Sequence, residues 1–333
     1  MDIDFVVLWV DGNDPEWQKE KAKYQGKSLN DSNSSNRYRD WGLMPYWFRA
    51  VEKFAPWVRK IHFVTCGHLP DFLNTASPKL NIVKHSDFIP EEYLPTFSSH
   101  AIEMNIHRIP GLSEHFVYFN DDTFLLRPLN ETAFFKDGLP CTSAVERPIE
   151  LRGNFGVWQH AAVNDLSVVN SHFYKKEQLK KYRNKYVNKA YGTKENMRTL
   201  ALEMLFPDYF TGFKNLHAPA AYLKSTFCDV WEKEPALLNS TSSHRFRDRA
   251  DVNQWVCLWW QIASGMFSPF NTDNIVSSVT ENTEKELCDI IKSQSHDMIC
   301  INDPEDNIDF DVLSKKLKDA FGEILPDKSE FEK

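Results

Sequence analysis

Two apolar runs in this chain each break off into aspartates, and that pairing limits what the chain can build. Phe5-Val-Val-Leu-Trp-Val10 leads into Asp11-Gly12-Asn13-Asp14-Pro15, and His115-Phe-Val-Tyr-Phe119 leads into Asn120-Asp121-Asp122. Short apolar runs bounded by turn residues read as strands buried on both faces of a parallel sheet. Ligands of such sheets bind at the carboxyl ends of the strands. Two strands that deliver acids at that edge point to one site, suited to a metal ion and a phosphorylated ligand.

The rest of the first half supports an α/β layer. Ile61–Thr65 and Leu80–Lys84 are further strands, with an aromatic helix around Tyr46 to Phe54 before them. Ser98 or Ser99 is placed to cap a helix running to Arg108, which Pro110-Gly111 ends. Strands alternating with helices specify a right-handed, mostly parallel sheet. Gly26 to Asn36 is a Gly/Ser/Asn loop, placed to act as a lid. Beyond about residue 140 the strand signal fades, and Asp251 to Phe267 reads as a buried, tryptophan-rich helix.

Charge excludes some functions. A formal charge of −8 argues against a nucleic-acid partner. Yet nine Lys/Arg fall between Lys175 and Arg198, as a solvated helix face or as a surface for an anionic acceptor or lipid headgroups. Six scattered cysteines without a Cys-x-x-Cys pair suit reduced, mostly buried thiols. Cys66-Gly67-His68 has two metal-ligand types but no matching second pair. With no secretory signal pattern and no apolar run near the roughly 20 residues of a bilayer span, a cytoplasmic protein is expected.

The residues with chemistry are few. Asp121 and Asp122 are adjacent at a strand end, so their side chains diverge: one can hold a metal while the other faces a hydroxyl. Asp11 and Asp14 have the same potential, though Asp-Gly and Asp-Pro are also ordinary turn formers. Arg37 and Arg39, and Arg245, Arg247 and Arg249 in Ser243-His-Arg-Phe-Arg-Asp-Arg249, are candidates for binding phosphate oxygens. His217, in Leu216-His-Ala-Pro219, sits where a histidine is free to act as acid or base. Residue types alone support a nucleotide-dependent transferase and no more.

Taken together, these segments resemble the Stealth family of capsular-polysaccharide phosphotransferases, relatives of the lysosomal-enzyme N-acetylglucosamine-1-phosphotransferase α/β subunit. The first family region resembles Asp4 to Pro15. The second resembles Arg37-Tyr-Arg-Asp40, Ala55 to Ile61, Leu94 to Glu103, His107 to Ser113 and Tyr118-Phe-Asn-Asp-Asp122. The third resembles His217-Ala-Pro219 with Tyr222-Leu-Lys-Ser225, and the fourth Arg245-Phe-Arg247 with Asp251 to Trp255. Where many members have Glu-Leu-Lys/Arg-Tyr, this chain reads Leu43-Met-Pro-Tyr46, so no charged role is carried into that helix.

The resemblance implies a Rossmann-like, GT-A-like sheet flanked by helices, completed by a more helical C-terminal half. Composition together with the matched segments divides the chain into a nucleotide-sugar core at 1–140, a helical basic insertion at 141–210, a segment completing the catalytic site at 211–270, and an acidic helical tail at 271–333; residues 126–211 and the tail resemble no family region. The implied reaction takes sugar-1-phosphate from a UDP-sugar to a glycan hydroxyl, releasing UMP. Trp9, Val10, Asp11, Gly12, Asp14, Arg37, Arg39, Asn120 and Arg245 would bind substrate. Asp121, Asp122, His217 and Arg247 would be catalytic, with Mg²⁺ or Mn²⁺ on Asp121 and Asp122. The acceptor would be a glycan, commonly lipid-linked, reached at the inner face of the plasma membrane. A metal-dependent glycosyltransferase releasing UDP is the alternative, and a non-catalytic scaffold subunit a third reading.

Overall fold

The computed structural model describes residues 1–25, 40–151, 153, 156–214, 216–276, 284–302 and 309–333. The expected Gly26–Asn36 lid, Arg37 and Arg39 lie outside them. In chain order the first half comprises β1 (Ile3–Leu8), α1 (Pro15–Gln25), α2 (Met44–Phe54), β2 (Lys60–Thr65), β3 (Leu80–Lys84), α3 (Ser99–Asn105), β4 (His115–Phe119), β5 (Thr123–Leu125), β6 (Phe135–Lys136) and β7 (Leu139–Thr142). The second half comprises α4 (Val157–His172), α5 (Lys175–Lys181), α6 (Arg183–Tyr186), α7 (Gly192–Leu205), β8 (Ala220–Leu223), α8 (Lys224–Lys233), α9 (Pro235–Ser243) and α10 (Trp255–Ala263). It ends with β9 (Ser268–Pro269), β10 (Ile275–Val276), α11 (Glu284–Ser293), β11 (Met298–Cys300) and α12 (Phe310–Ile324).

The main sheet has the order β3-β2-β1-β4-β8. Its first four strands are parallel, and β8 pairs antiparallel with β4. The first crossover runs outward from β1 to β2 and β3. The chain then returns to the other side of β1 as β4, so the strand order reverses between β1 and β4. Such a reversal opens a crevice at the strands' carboxyl ends.

Alternate side chains of β1 serve two layers, because successive residues point to opposite faces. Phe5 and Val7 pack with Trp47 and Phe48 of α2 and Leu317 and Phe321 of α12. Val6 packs with Phe116 and Tyr118 of β4 and with residues of α8, α9 and α10. Helix α10 is apolar all round for a comparable reason. Val256, Cys257 and Trp260 face the sheet layer, while Trp259, Ile262 and Ala263 face a third cluster with Val169, Leu179 and Tyr186.

Four details depart from the expected helices. The long helix begins at Trp255 rather than Asp251, and α3 ends at Asn105 before a 3₁₀ turn to Arg108. Ser98 stands at the N-cap of α3 without a side-chain cap bond, and its Oγ is buried without a partner. Residues 271–333, expected as a helical tail, also supply strands β10 and β11. The six cysteines form no disulfide with one another. No helix among the described residues is long and apolar enough to cross a membrane.

Candidate active site

Strands β1 and β4 are hydrogen-bonded neighbours with Val7 opposite Phe119, so the two acidic turns emerge side by side. In the first turn Asp11 Oδ1 accepts the Asn13 N–H at 2.8 Å, and Asp14 Oδ1 accepts the Trp17 N–H at 2.7 Å. Asp14 therefore caps α1, the turn-forming role its Asp-Pro context allows. His68 fixes the same turn from β2's side: its Nε2 accepts the Asp11 N–H at 2.8 Å. Its ring meets that of Trp9 edge-on, with centroids 5.2 Å apart. Val10 is half-buried, Gly12 is buried, and the Gly12 carbonyl accepts from the Gln18 side chain at 2.8 Å.

After β4, Asn120 joins two groups. The Tyr118 hydroxyl lies 2.8 Å from Asn120 Oδ1, and the Asn120 amide nitrogen lies 2.7 Å from His217 Nε2. This contact fixes the orientation of the His217 ring, a group that can exchange a proton through either nitrogen. Tyr118 is in turn 3.1 Å from Oε1 of the buried Glu103, whose Oε2 accepts the Gln254 N–H at 3.1 Å. His217 is thus oriented by a chain of groups rooted in the core.

Asp122 sits 3.8 Å from His217 Nε2, and its backbone carbonyl accepts the Ile301 N–H at 2.7 Å. That bond continues the antiparallel pairing of β5 with β11, which sets Cys300 opposite Thr123. Ligand atoms of Asp122, His217 and Cys300 consequently lie within 4.8 Å of one another. Asp122 Oδ1 is buried without a hydrogen-bond partner, an unmet acceptor of the kind a cation satisfies. Cys300 fits a hard cation poorly. Burial, with Asp122 and Asp121 beside it, pushes its thiol well above the ordinary range and keeps it protonated.

Asp121 is exposed at the end of β4, beside Asp122. Desolvation, then the charges of Asp122 and Asp40, pushes its carboxyl up to about 7, with Arg247 acting against them. Asp40 is itself raised by burial and by Asp11. Gly42 lets a lysine approach this cluster: it has a φ of 65°, and a Cβ there would meet Lys318 Nζ of α12 at 2.6 Å.

Crowded carboxylates destabilise the fold that holds them. Asp121, raised above its unfolded value of 3.8, subtracts stability progressively as pH rises from about 4 to about 7. Asp121→Asn should therefore melt higher than the native chain at pH 8 with chelator present, and the gap should close toward pH 4. Thermal unfolding across that range checks this; an equal gap at every pH would refute it.

Arg247 lies beside the acids, its Nη2 donating to Ser99 Oγ at 2.7 Å, so Ser99 holds an arginine rather than capping its helix. The loop that carries Arg247 folds onto buried Asp251. Asp251 Oδ1 is 2.6 Å from His244 Nδ1, and Oδ2 is 3.1 Å from His100 Nδ1 and 2.8 Å from the Asp248 N–H. Arg245 instead lies over the Tyr24 ring of α1, with its guanidinium carbon 4.8 Å from the centroid. The structure thus gathers Asp11, Asp121, Asp122, Asn120, His217 and Arg247 at one sheet edge. Asp40, His68 and Cys300 were missed as members of this group. Asp40 stood in the Arg37-Tyr-Arg-Asp40 segment and could have been found there; Cys300 has no local signal.

A crevice lined with acids, a histidine and an arginine at the reversal point of a parallel sheet suits the transfer of a charged group. Comparison with known proteins narrows the class. Residues 1–29 match the Stealth protein conserved region 1 model, and residues 37–141 match that for conserved region 2. The chain is 42% identical over 336 residues to the receptor polysaccharide phosphotransferase WefC of Streptococcus oralis, covering 99% of both chains. It is 40% identical over 334 residues to a capsular polysaccharide phosphotransferase WcwK of Streptococcus pneumoniae, covering 99% of this chain and 98% of the relative. Against the exopolysaccharide phosphotransferase cps2G of Lactiplantibacillus plantarum it is 40% identical over 334 residues, covering 100% and 96%. The chain belongs to the Stealth family.

Proposed function

We propose that this chain is a polysaccharide phosphotransferase that moves sugar-1-phosphate from a UDP-hexose or UDP-N-acetylhexosamine to a glycan hydroxyl, releasing UMP. The observation that carries the reading is the meeting of both strand-end acidic turns with His217 and Arg247 at one crevice. The names of full-length relatives, phosphotransferases of capsular and other polysaccharides, support it. The acceptor oxygen attacks the β-phosphorus, the bond from that phosphorus to the UMP oxygen breaks, and the hydroxyl proton passes to a base. His217, oriented by Asn120, is placed to take that proton, and Arg247 to bind the pyrophosphate oxygens. Trp9 to Gly12 would border the nucleotide-sugar, with Arg245 farther out at α1.

Asp122 and Asp121 would hold Mg²⁺ or Mn²⁺, since both offer oxygen ligands and Asp122 Oδ1 lacks a partner. Such an ion would neutralise phosphate charge. We read the sheet as a GT-A-like layout because its acids follow the strand beside the reversal point. The acceptor is a surface glycan, lipid-linked in this reading and met at the inner face of the plasma membrane.

Product analysis tests the proposal. Purified protein with Mg²⁺, a panel of UDP-sugars and a capsule-like oligosaccharide should release UMP, resolved from UDP by chromatography. UDP release instead would make it a glycosyltransferase. UDP-sugar binding without either product over a panel of acceptors would favour a non-catalytic role.

A further inference from the structure

Helix α7 is apolar on the side facing water. Its inward residues Thr199 and Leu202 are buried, as expected of a packed helix. Outward, Met197, Leu200, Ala201, Met204 and Leu205 recur at i, i+3, i+4, i+7 and i+8, the spacing of one helical face. Met197 is 65% exposed, Met204 84% and Leu205 70%. The stripe continues past the helix end into Phe206 and the exposed Tyr209, whose rings lie 5.8 Å apart. A contiguous apolar patch of this kind marks an interaction surface.

The charges around the stripe identify what it meets. The start of α5 is fastened to the end of α7: Lys175 Nζ donates to the Leu202 carbonyl at 3.1 Å, and Lys175 N–H to the Asp208 carbonyl at 3.3 Å. Exposed Lys176, Lys180 and Lys181 follow on α5, and exposed Lys189 and Lys194 stand at the other end of α7. Not every basic residue of this stretch is available. Lys175 is buried against Glu146, Arg183 and Arg198 pair with Glu203 and Glu195, and Lys185 donates to the Gly265 and Phe267 carbonyls. The two acids of α7, Glu195 in its first turn and Glu203 near its end, are thereby paired. What remains is an apolar face with lysines at both ends and two exposed acids beside it, Glu177 on α5 and Asp208, whose carboxylate accepts from the Tyr174 hydroxyl, on a chain whose formal charge is −8.

We propose that α7 and the lysines beside it dock on an anionic lipid bilayer, with Met197, Met204 and Leu205 entering the headgroup–acyl boundary. An apolar face bordered by lysines is the pattern of helices that lie in the plane of a membrane. A second copy of this chain is the poorer fit, because pairing two such faces would bring lysine clusters of like charge together. The proposal is independent of the reaction assigned above: it places the chain on a surface without specifying what it transfers there. Leu205 precedes His217 by a short connection, so the docked face and the site share one segment of chain.

Sedimentation of the full chain with vesicles tests this. Vesicles of phosphatidylglycerol and phosphatidylcholine should pull down the protein, and pure phosphatidylcholine vesicles should retain much less. Lys180→Glu with Lys181→Glu should weaken binding at least about tenfold, from roughly 1 kcal/mol per basic residue near an anionic surface. Met204→Glu with Leu205→Glu should weaken it comparably while leaving the circular dichroism spectrum unchanged, since both side chains are exposed. Absence of binding to anionic vesicles would overturn the proposal, as would binding indifferent to the Met204 and Leu205 changes. A dimer in solution that the same changes dissociate would assign the face to a second copy and overturn it too.

Discussion

Asp122→Asn should lower turnover by about 10²–10³ without loss of fold. The carboxylate stands where three elements meet: the end of β4, the loop bearing His217, and β11 with Cys300. Its Oδ1 is buried without a hydrogen-bond partner and lies 3.8 Å from His217 Nε2, so the substitution breaks no hydrogen bond at that oxygen. Its backbone bond to Ile301 survives the substitution. The amide removes a negative charge facing the crevice and halves the oxygen ligands that the residue can offer a divalent ion. Initial rates of UMP release at saturating donor check the size of the effect, and far-UV circular dichroism checks the fold. A variant within threefold of the native rate would remove Asp122 from the mechanism.

Asp4→Asn should cost about 3 kcal/mol of stability, at the lower end of what breaking a buried ion pair costs. Asp4 is fully buried at the opposite, amino edge of the sheet. It bonds Arg59 at 2.5 Å, His62 at 3.0 Å and the Ser113 N–H at 2.8 Å. The lower figure applies because Arg59 remains 35% exposed and recovers hydration when its partner goes. Burial alone would raise the Asp4 carboxyl, but the hydrogen bonds from His62 and Arg59 outweigh it and hold it below the ordinary carboxylate value of 3.8. A depressed carboxyl contributes stability above its unfolded pKa and loses it as pH falls through the folded value. The difference between Asp4→Asn and the native chain should therefore be full at pH 7 and shrink below about pH 4. Urea unfolding at pH 7 and pH 3.5 measures both values; a cost below 1 kcal/mol at pH 7 would show the ion pair to be incidental. A total stability of about 5–15 kcal/mol makes 3 kcal/mol a large fraction. Part of the first family region therefore holds the fold rather than the substrate.

The strand-end acids were legible because both halves of the signal are local. A short apolar run needs only its own residues to read as a strand, and the turn after it follows directly in the chain. Parallel pairing of β1 with β4 then brings Asp11 and Asp122 together at any register near the observed one. His217 and Arg247 stood among several loop candidates by residue type, and the family resemblance alone singled them out, since a loop histidine and a loop arginine have many ordinary explanations. Asp14 shows the converse: its Asp-Pro context allowed both readings, and the structure places it on the first turn of α1.

The basic stretch shows why charge counts mislead when read one residue at a time. Lys175 heads the run in sequence but is buried against Glu146, 29 residues earlier in the chain. Nothing near Lys175 announces that partner. The apolar face of α7 was hidden for a related reason. Its i, i+3, i+4 pattern is that of any packed helix, and a sequence does not say which side of a helix faces the core.

By itself the sequence determined that the chain would build a buried parallel sheet with acids at its carboxyl edge, because hydrophobic periodicity and turn chemistry act over a few residues. The tertiary structure alone decided that β8 closes the sheet antiparallel to β4 and leads His217 to Asn120. It alone decided that β11 returns from near the end of the chain to set Cys300 beside Asp122, and that Glu103 and Tyr118 orient the histidine from below. Those contacts join residues far apart in sequence, and their energies come from burial and hydrogen bonding that exist only once the layers have packed.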